Sequence, residues 1–154
     1  MTLRPYWKEV LVFVVACAPL IGADNPFVGK WKENCAKSVA TFPGCVQQTI
    51  HMEAMPGGSV RISDEFTTAA GEKQNSSGVH ALDGGEVHPT GTEPDHAVSI
   101  RKISPHVWER IAKREGDIRH GYWAVSSDGK LLVITGFGNA QGREYYFHRI
   151  LERQ

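Results

Sequence analysis

The chain has 154 residues, with 17 basic and 17 acidic side chains and no formal net charge. That balance removes the electrostatic case for nucleic acid or an anionic membrane surface as a partner. Once an apolar leader is set aside, about 130 residues remain, a comfortable size for one domain with its own core.

The leader begins with Arg4 and Lys8, continues as an apolar run over residues 10–22, and ends at the small residue Ala23. The run is too short for a membrane-spanning helix, which needs about 20 apolar residues. It therefore reads as a signal peptide over 1–23, followed by a domain over 24–154 in a secreted or periplasmic compartment. Two alternatives stand beside it: an uncleaved anchor, and a lipoprotein signal in which Val14-Val15-Ala16-Cys17 is a loose lipobox and Cys17 carries the lipid. No later stretch approaches the length of an integral membrane span. Without Cys17 the domain keeps Cys35 and Cys45, which an oxidising compartment would join as a disulfide. Buried free thiols are the other option. A redox-active pair is disfavoured, because the spacing is not Cys-x-x-Cys.

From Asn34 onward, residues 34–41 are the only segment with room for a helical turn. Beyond them the apolar period is two, the signature of strands. Val46, Gln48, Ile50 and Met52 share one face of a first run over 46–53. Val60, Ile62 and Phe66 alternate with Arg61, Ser63 and Glu65. A weaker run covers 79–82, and stronger ones follow at 98–101, 107–113, 118–125, 131–137 and 145–151. Pro56-Gly57-Gly58, Asp83-Gly84-Gly85, Glu115-Gly116-Asp117, Asp128-Gly129 and Asn139-Ala140-Gln141-Gly142 punctuate them as turns. Residues 88–95, rich in proline and glycine, read as irregular. Short strands in sequential hairpins predict an all-β fold, an antiparallel up-and-down β-barrel of about 8–10 strands. Closure removes the two edges that an open meander of this size would expose.

A barrel of this size can hold one small ligand among its inward side chains. Met52, Phe66, Trp108, Tyr122, Phe137 and Phe147 are the candidate wall. Strand parity is open: Trp108/Arg110 competes with Val107/Ile111 for the inside, and Tyr122/Ala124 with Trp123/Val125.

Chemistry is harder to find. Seven histidines are present, at 51, 80, 88, 96, 106, 120 and 148. His80, His88 and His96 fall eight apart near Asp83, Glu86 and Asp95, a spacing that matches neither His-x-x-x-His on a helix nor His-x-His on a strand. They read as solvated surface, and no metal or cofactor is expected. Ser126 and Ser127 lack the context that exposes a serine nucleophile, and Glu65, Glu109 and Glu144 are isolated carboxylates. No catalytic constellation emerges. Asn75-Ser76-Ser77 matches a glycosylation acceptor that matters only in a eukaryotic secretory pathway.

Gly29-Lys30-Trp31 resembles the early Gly-x-Trp of lipocalins and their barrel relatives. The resemblance implies that Trp31 packs against a basic residue of the last strand to close one end, with Gly29 beside it and Arg149 or Arg153 as the basic partner. A wider similarity is to small exported bacterial proteins described as lipocalin-like. It rests on the phrase from Asn25 to Ser38, on Pro89-Thr90-Gly91, on Val98-Ser99-Ile100, on the Ser126–Lys130 hairpin and on the Gly138–Gly142 turn. It implies fold and export but no activity. The expectation is an exported monomeric barrel that binds a small, mostly apolar molecule in its interior. The alternatives are a barrel with a filled core that works by surface contact, through Tyr145, Tyr146 or Trp123, and a minor hydrolytic or metal-dependent activity.

Overall fold

The computed structural model of the protein describes residues 25–41, 45, 47–67 and 71–154. The predicted leader over 1–23, Cys17 within it, and Val46 lie outside the described residues.

The two-residue period becomes a continuous antiparallel sheet. Its strands are β1 (Gly29–Glu33), β2 (Val39–Ala40), β3 (Gln48–Ala54), β4 (Val60–Thr67), β5 (Lys73–His80), β6 (Asp83–Val87), β7 (Ala97–Ser104), β8 (Val107–Arg114), β9 (Asp117–Val125), β10 (Leu131–Ala140) and β11 (Arg143–Arg153). The order across the sheet is β5-β4-β3-β1-β11-β10-β9-β8-β7-β6, with the short β2 also paired to β11. The first strand therefore pairs with the last, Trp31 standing opposite Arg153 and Glu33 opposite Leu151. The wall is nearly closed. Its seam falls between β5 and β6, where among the described residues Ser77 of β5 is bridged to Thr90 just beyond β6, through Thr90 N–H to Ser77 O at 2.8 Å and Ser77 N–H to Thr90 O at 3.1 Å.

Three parts of the sequence expectation change. The weak run at 79–82 is the end of a full strand, β5, and Asp83-Gly84-Gly85 opens β6 instead of forming a turn. The turn sits just before, at Leu82, whose φ of 62° is left-handed. Residues 34–41 hold one hydrogen-bonded turn, in which Asn34 O accepts from the N–H groups of Lys37 and Ser38, and then enter β2.

One end of the barrel is solid. Phe27, Trp31 and Trp108 are fully buried, and the rings of Phe27 and Trp108 stack at 3.8 Å between centroids. Trp31 Nε1 donates to Phe27 O at 2.8 Å. Ile50, Met52, Leu132 and Leu151 complete the plug. Arg153 lies over the Trp31 ring, 4.2 Å from its centroid, and donates to Val28 O, Pro26 O and Gly129 O. The choice left open between Arg149 and Arg153 thus falls to Arg153, with Arg149 pointing into the interior. Gly29 has a φ of 139°, and a Cβ there would collide with the Arg153 guanidinium, so the glycine makes room for the cation on the indole.

Cys35 and Cys45 are joined, with Cα atoms 5.6 Å apart and a sequence separation of 10. Bonds of this kind persist in oxidising compartments. In the chain-entropy model a loop of that length contributes about 2.5–3 kcal/mol. Urea unfolding of a Cys35→Ser/Cys45→Ser variant should show a loss of about that size relative to the oxidised protein.

Candidate functional site: the barrel cavity

Beyond the aromatic plug the barrel is hollow. A cavity of about 860 Å³ opens toward the hairpins β4–β5, β8–β9 and β10–β11. That volume lies within the usual range for small-molecule sites, about 300–1,000 Å³. Its apolar wall is made by Ile62, Phe66, Val98, Ile100, Trp123, Ile134, Tyr145 and Phe147.

Strand register decides which predicted residues reach it. Trp108 stands opposite Trp123 in the β8–β9 pair, and directly opposed residues point to the same side. The inward set is therefore Trp108, Arg110 and Ala112 with Trp123 and Val125. Tyr122 points outward, 43% exposed, and so does Phe137, 63% exposed; neither lines the cavity. Both were expected inside, and Tyr122 could not share a face with Trp108 in this register. Met52 and Trp108 do point inward, but they belong to the plug beneath the cavity. Phe66 and Phe147 line the wall. Of the aromatics named for surface contact, Tyr146 is outward and 54% exposed, whereas Tyr145 and Trp123 face the interior. Gly138 is what lets Tyr145 lie across β10, since a Cβ there would enter the phenol ring.

The polar part of the site is the more informative part, and of it the sequence raises only Arg110 as a rival for the inside and puts Gln48 on the face of Ile50 and Met52, without joining them into a site. Arg149 Nη1 lies 3.5 Å from Glu33 Oε2 and donates to Gln48 Oε1 at 3.2 Å. Gln48 Nε2 in turn donates to Asp64 Oδ2 at 2.7 Å. At the rim, Asp117 is saturated: it accepts from Arg119 at 2.8 and 2.9 Å and from Tyr145 Oη at 2.9 Å. Arg110 differs from all of these. It sits deep in the barrel with its surface turned to the cavity, its guanidinium 5.7 Å from the Trp123 ring, and among the described residues it makes no hydrogen bond or ion pair. Burial pushes its pKa down to about 10, so it stays charged at neutral pH.

The carboxyl groups move the other way. Burial raises Asp64, against the opposing pull of Gln48, Arg110 and Arg149. Burial also raises Glu33, with Arg149 opposing. Glu33 Oε1, Asp64 Oδ1 and His80 Nδ1 are buried without a hydrogen-bond partner among the described residues. The cavity thus presents a cation to whatever enters it, with unsatisfied polar atoms buried beside it.

Burial, reinforced by Arg110, pushes His80 down to about 4. A base whose folded pKa lies below its unfolded value of about 6.5 costs stability only as pH falls from about 6.5 toward 4, where the unfolded state takes up the proton first. Wild type should lose stability relative to His80→Gln across that window and match its pH dependence above it. Denaturant midpoints measured from pH 4 to 8 check this.

The signal for these polar groups was present. Gln48 precedes Ile50 and Met52 on one face, Asp64 sits between Ile62 and Phe66, and Arg110 follows Trp108, each a polar residue in an otherwise apolar inward register.

The fold is a nearly closed ladder of ten antiparallel strands, plugged at one end and hollow at the other. Among solved structures the chain is similar to fatty-acid-binding protein 1 of Echinococcus granulosus, with a TM-score of 0.60, 14% identity, and coverage of 83% of this chain and 97% of that one. It is similar to a Schistosoma mansoni fatty acid binding protein in complex with arachidonic acid, at TM-score 0.56 and 15% identity over 84% and 96% of the two chains. Wild-type fluorescent protein UnaG gives TM-score 0.54 and 13% identity over 83% and 97%. No protein-family model matches the chain, and no curated protein sequence matches it. Identities this low carry the architecture alone. The expected antiparallel barrel stands as an architecture.

Proposed function

We propose that the protein binds one small, mostly apolar acid inside the barrel, as a carrier and not as an enzyme, outside the cytoplasm and after removal of residues 1–23. The observation that carries this reading is Arg110, a guanidinium facing the cavity that makes no hydrogen bond or ion pair among the described residues, Asp64 of the same cavity acting on it only through its charge. A buried charge without a directly bonded partner is costly, and a ligand carboxylate would relieve that cost while its hydrocarbon fills the wall. Two of the structures with this architecture are named for fatty acid binding, one of them in complex with arachidonic acid, which supports the same ligand class. The disulfide supports an oxidising location.

A filled barrel acting by surface contact is the weaker alternative. Of the aromatics large enough to fill the interior, Trp108 lies in the floor and Phe137 on the outside, and the cavity beyond the floor is open. Native mass spectrometry of protein purified from its own host tests the carrier reading. The expected result is a single small acid retained at one per chain. Protein that arrives bare and takes up no dodecanoate at micromolar concentrations contradicts it.

A further inference from the structure

Two arginines of β8 stand on one inward face. Trp108, Arg110, Ala112 and Arg114 alternate with outward residues, Trp108 lying in the plug and Arg114 closing the strand at the β8–β9 hairpin, opposite Asp117. Arg110 and Arg114 both line the cavity, one next to the floor and the other at the mouth. Four residues separate them, a rise of about 13 Å in an extended strand. The wall between is apolar, with Val98 opposite Ala112 and the rings of Tyr145 and Phe147 reaching across β10. Neither charge is well met. Arg110 makes no hydrogen bond or ion pair among the described residues. Arg114 lies 3.5 Å from Asp117, but that carboxylate already accepts from Arg119 at 2.8 and 2.9 Å and from Tyr145 Oη at 2.9 Å. Two guanidinium groups thus share one acid at the mouth. Lys73 is matched by Glu65 at 3.7 Å, and Glu93, another acid of the lining, makes no ion pair with either arginine.

We infer that the cavity takes an acid with a carboxylate at each end, one on Arg110 and one on Arg114, and an apolar chain between. This rests on the acid-binding reading given above and narrows its ligand class to an α,ω-dicarboxylate. Length follows from the fold. A fully extended chain advances about 1.2 Å per bond, as the backbone does, so about eleven bonds cover the rise between the two positions. Dodecanedioate has that span between its carboxyl carbons. A shorter diacid would leave one end in the apolar belt, where an unpaired carboxylate is costly. A longer one would have to fold, or carry its second charge past Arg114 into solvent. The Arg114 side chain is 46% exposed, so its contribution is modest and falls with salt.

Calorimetric titration at neutral pH, where both carboxyl groups are ionised, compares linear diacids with linear monoacids of eight to sixteen carbons. The ratio of diacid to monoacid affinity should pass through a maximum near twelve carbons, at about fivefold in low salt. Arg114→Gln should bring that ratio below one, because the second carboxylate then meets no cation at the mouth. Lys113→Gln removes the same charge from the outward neighbour and should retain the preference. Diacids weaker than monoacids at every length, or a ratio with no maximum, overturn the inference and leave the carrier reading standing. A preference that survives Arg114→Gln overturns it as well, and so does one lost equally in Lys113→Gln, which would report net charge alone. No binding of either series at any length is a different result: it removes the carrier reading and this inference together.

Discussion

Trp31→Ala should destabilise the protein by about 3–5 kcal/mol, the usual cost of emptying a large aromatic site that cannot collapse. Trp31 is fully buried, its indole N–H is bonded to Phe27 O, and its ring supports the guanidinium of Arg153. Removing it opens a void under the Phe27–Trp108 stack, orphans the Phe27 carbonyl and leaves Arg153 without its platform. The β1–β11 pairing that closes the wall runs through the same two positions, Trp31 and Arg153. Trp31→Phe should lose less, about 1–2 kcal/mol, because the ring is retained and mainly the hydrogen bond goes. Equilibrium unfolding in urea measures both. A loss below 1 kcal/mol for the alanine variant would mean that the closed end is held by other contacts.

Arg110→Met should change two properties in opposite directions. Affinity for dodecanoate should fall by about 100-fold or more, since removing the partner of a buried carboxylate typically costs 2–5 kcal/mol of binding. Stability should hold or rise, because a buried cation without a hydrogen-bond or ion-pair partner gives way to an apolar chain of similar reach. Affinity for dodecan-1-ol should stay where it was. Few structural residues behave this way: a core arginine that maintained the fold would lose stability and leave the ratio of acid to alcohol affinity unchanged. Titration of both probes, alongside urea unfolding, separates the two cases.

The fold was legible because strand alternation and turn chemistry agree along most of the chain. Val107–Arg114, Asp117–Val125 and Leu131–Ala140 each alternate in apolar character over part of their length, with glycine-bearing turns between them. β5 and β6 were hard to see for a physical reason. Their sequences, Lys-Gln-Asn-Ser-Ser-Gly-Val-His and Asp-Gly-Gly-Glu-Val, face either solvent or a polar part of the cavity, so burial imposes no alternation on them. The interior was half legible. Hydrophobicity alone nominated Tyr122 and Phe137, which lie on the outer face, where the His120 ring sits 5.5 Å from each. Cross-strand register decides parity, and register is a property of paired strands that one strand's sequence does not contain. The polar groups were missed because a charged residue on an inward face reads as an outward one until its neighbours are fixed. Arg153 could not be separated from Arg149 for a related reason: the two differ by four positions and share a face, and only the distance to the plug tells them apart.

The central claim is that the hollow of this barrel is an acid-binding site with its charge recognised at Arg110. A crystal of the protein grown with 12-bromododecanoate tests it directly, because bromine gives an anomalous signal that marks the ligand's far end. One bromine peak is expected within the described barrel, with the carboxylate within hydrogen-bonding distance of Arg110 and the chain along Trp123, Ile134 and Phe66. A molecule seated only on the outer face near Phe137 and Tyr146, or an interior empty of bromine at saturating ligand, would contradict it.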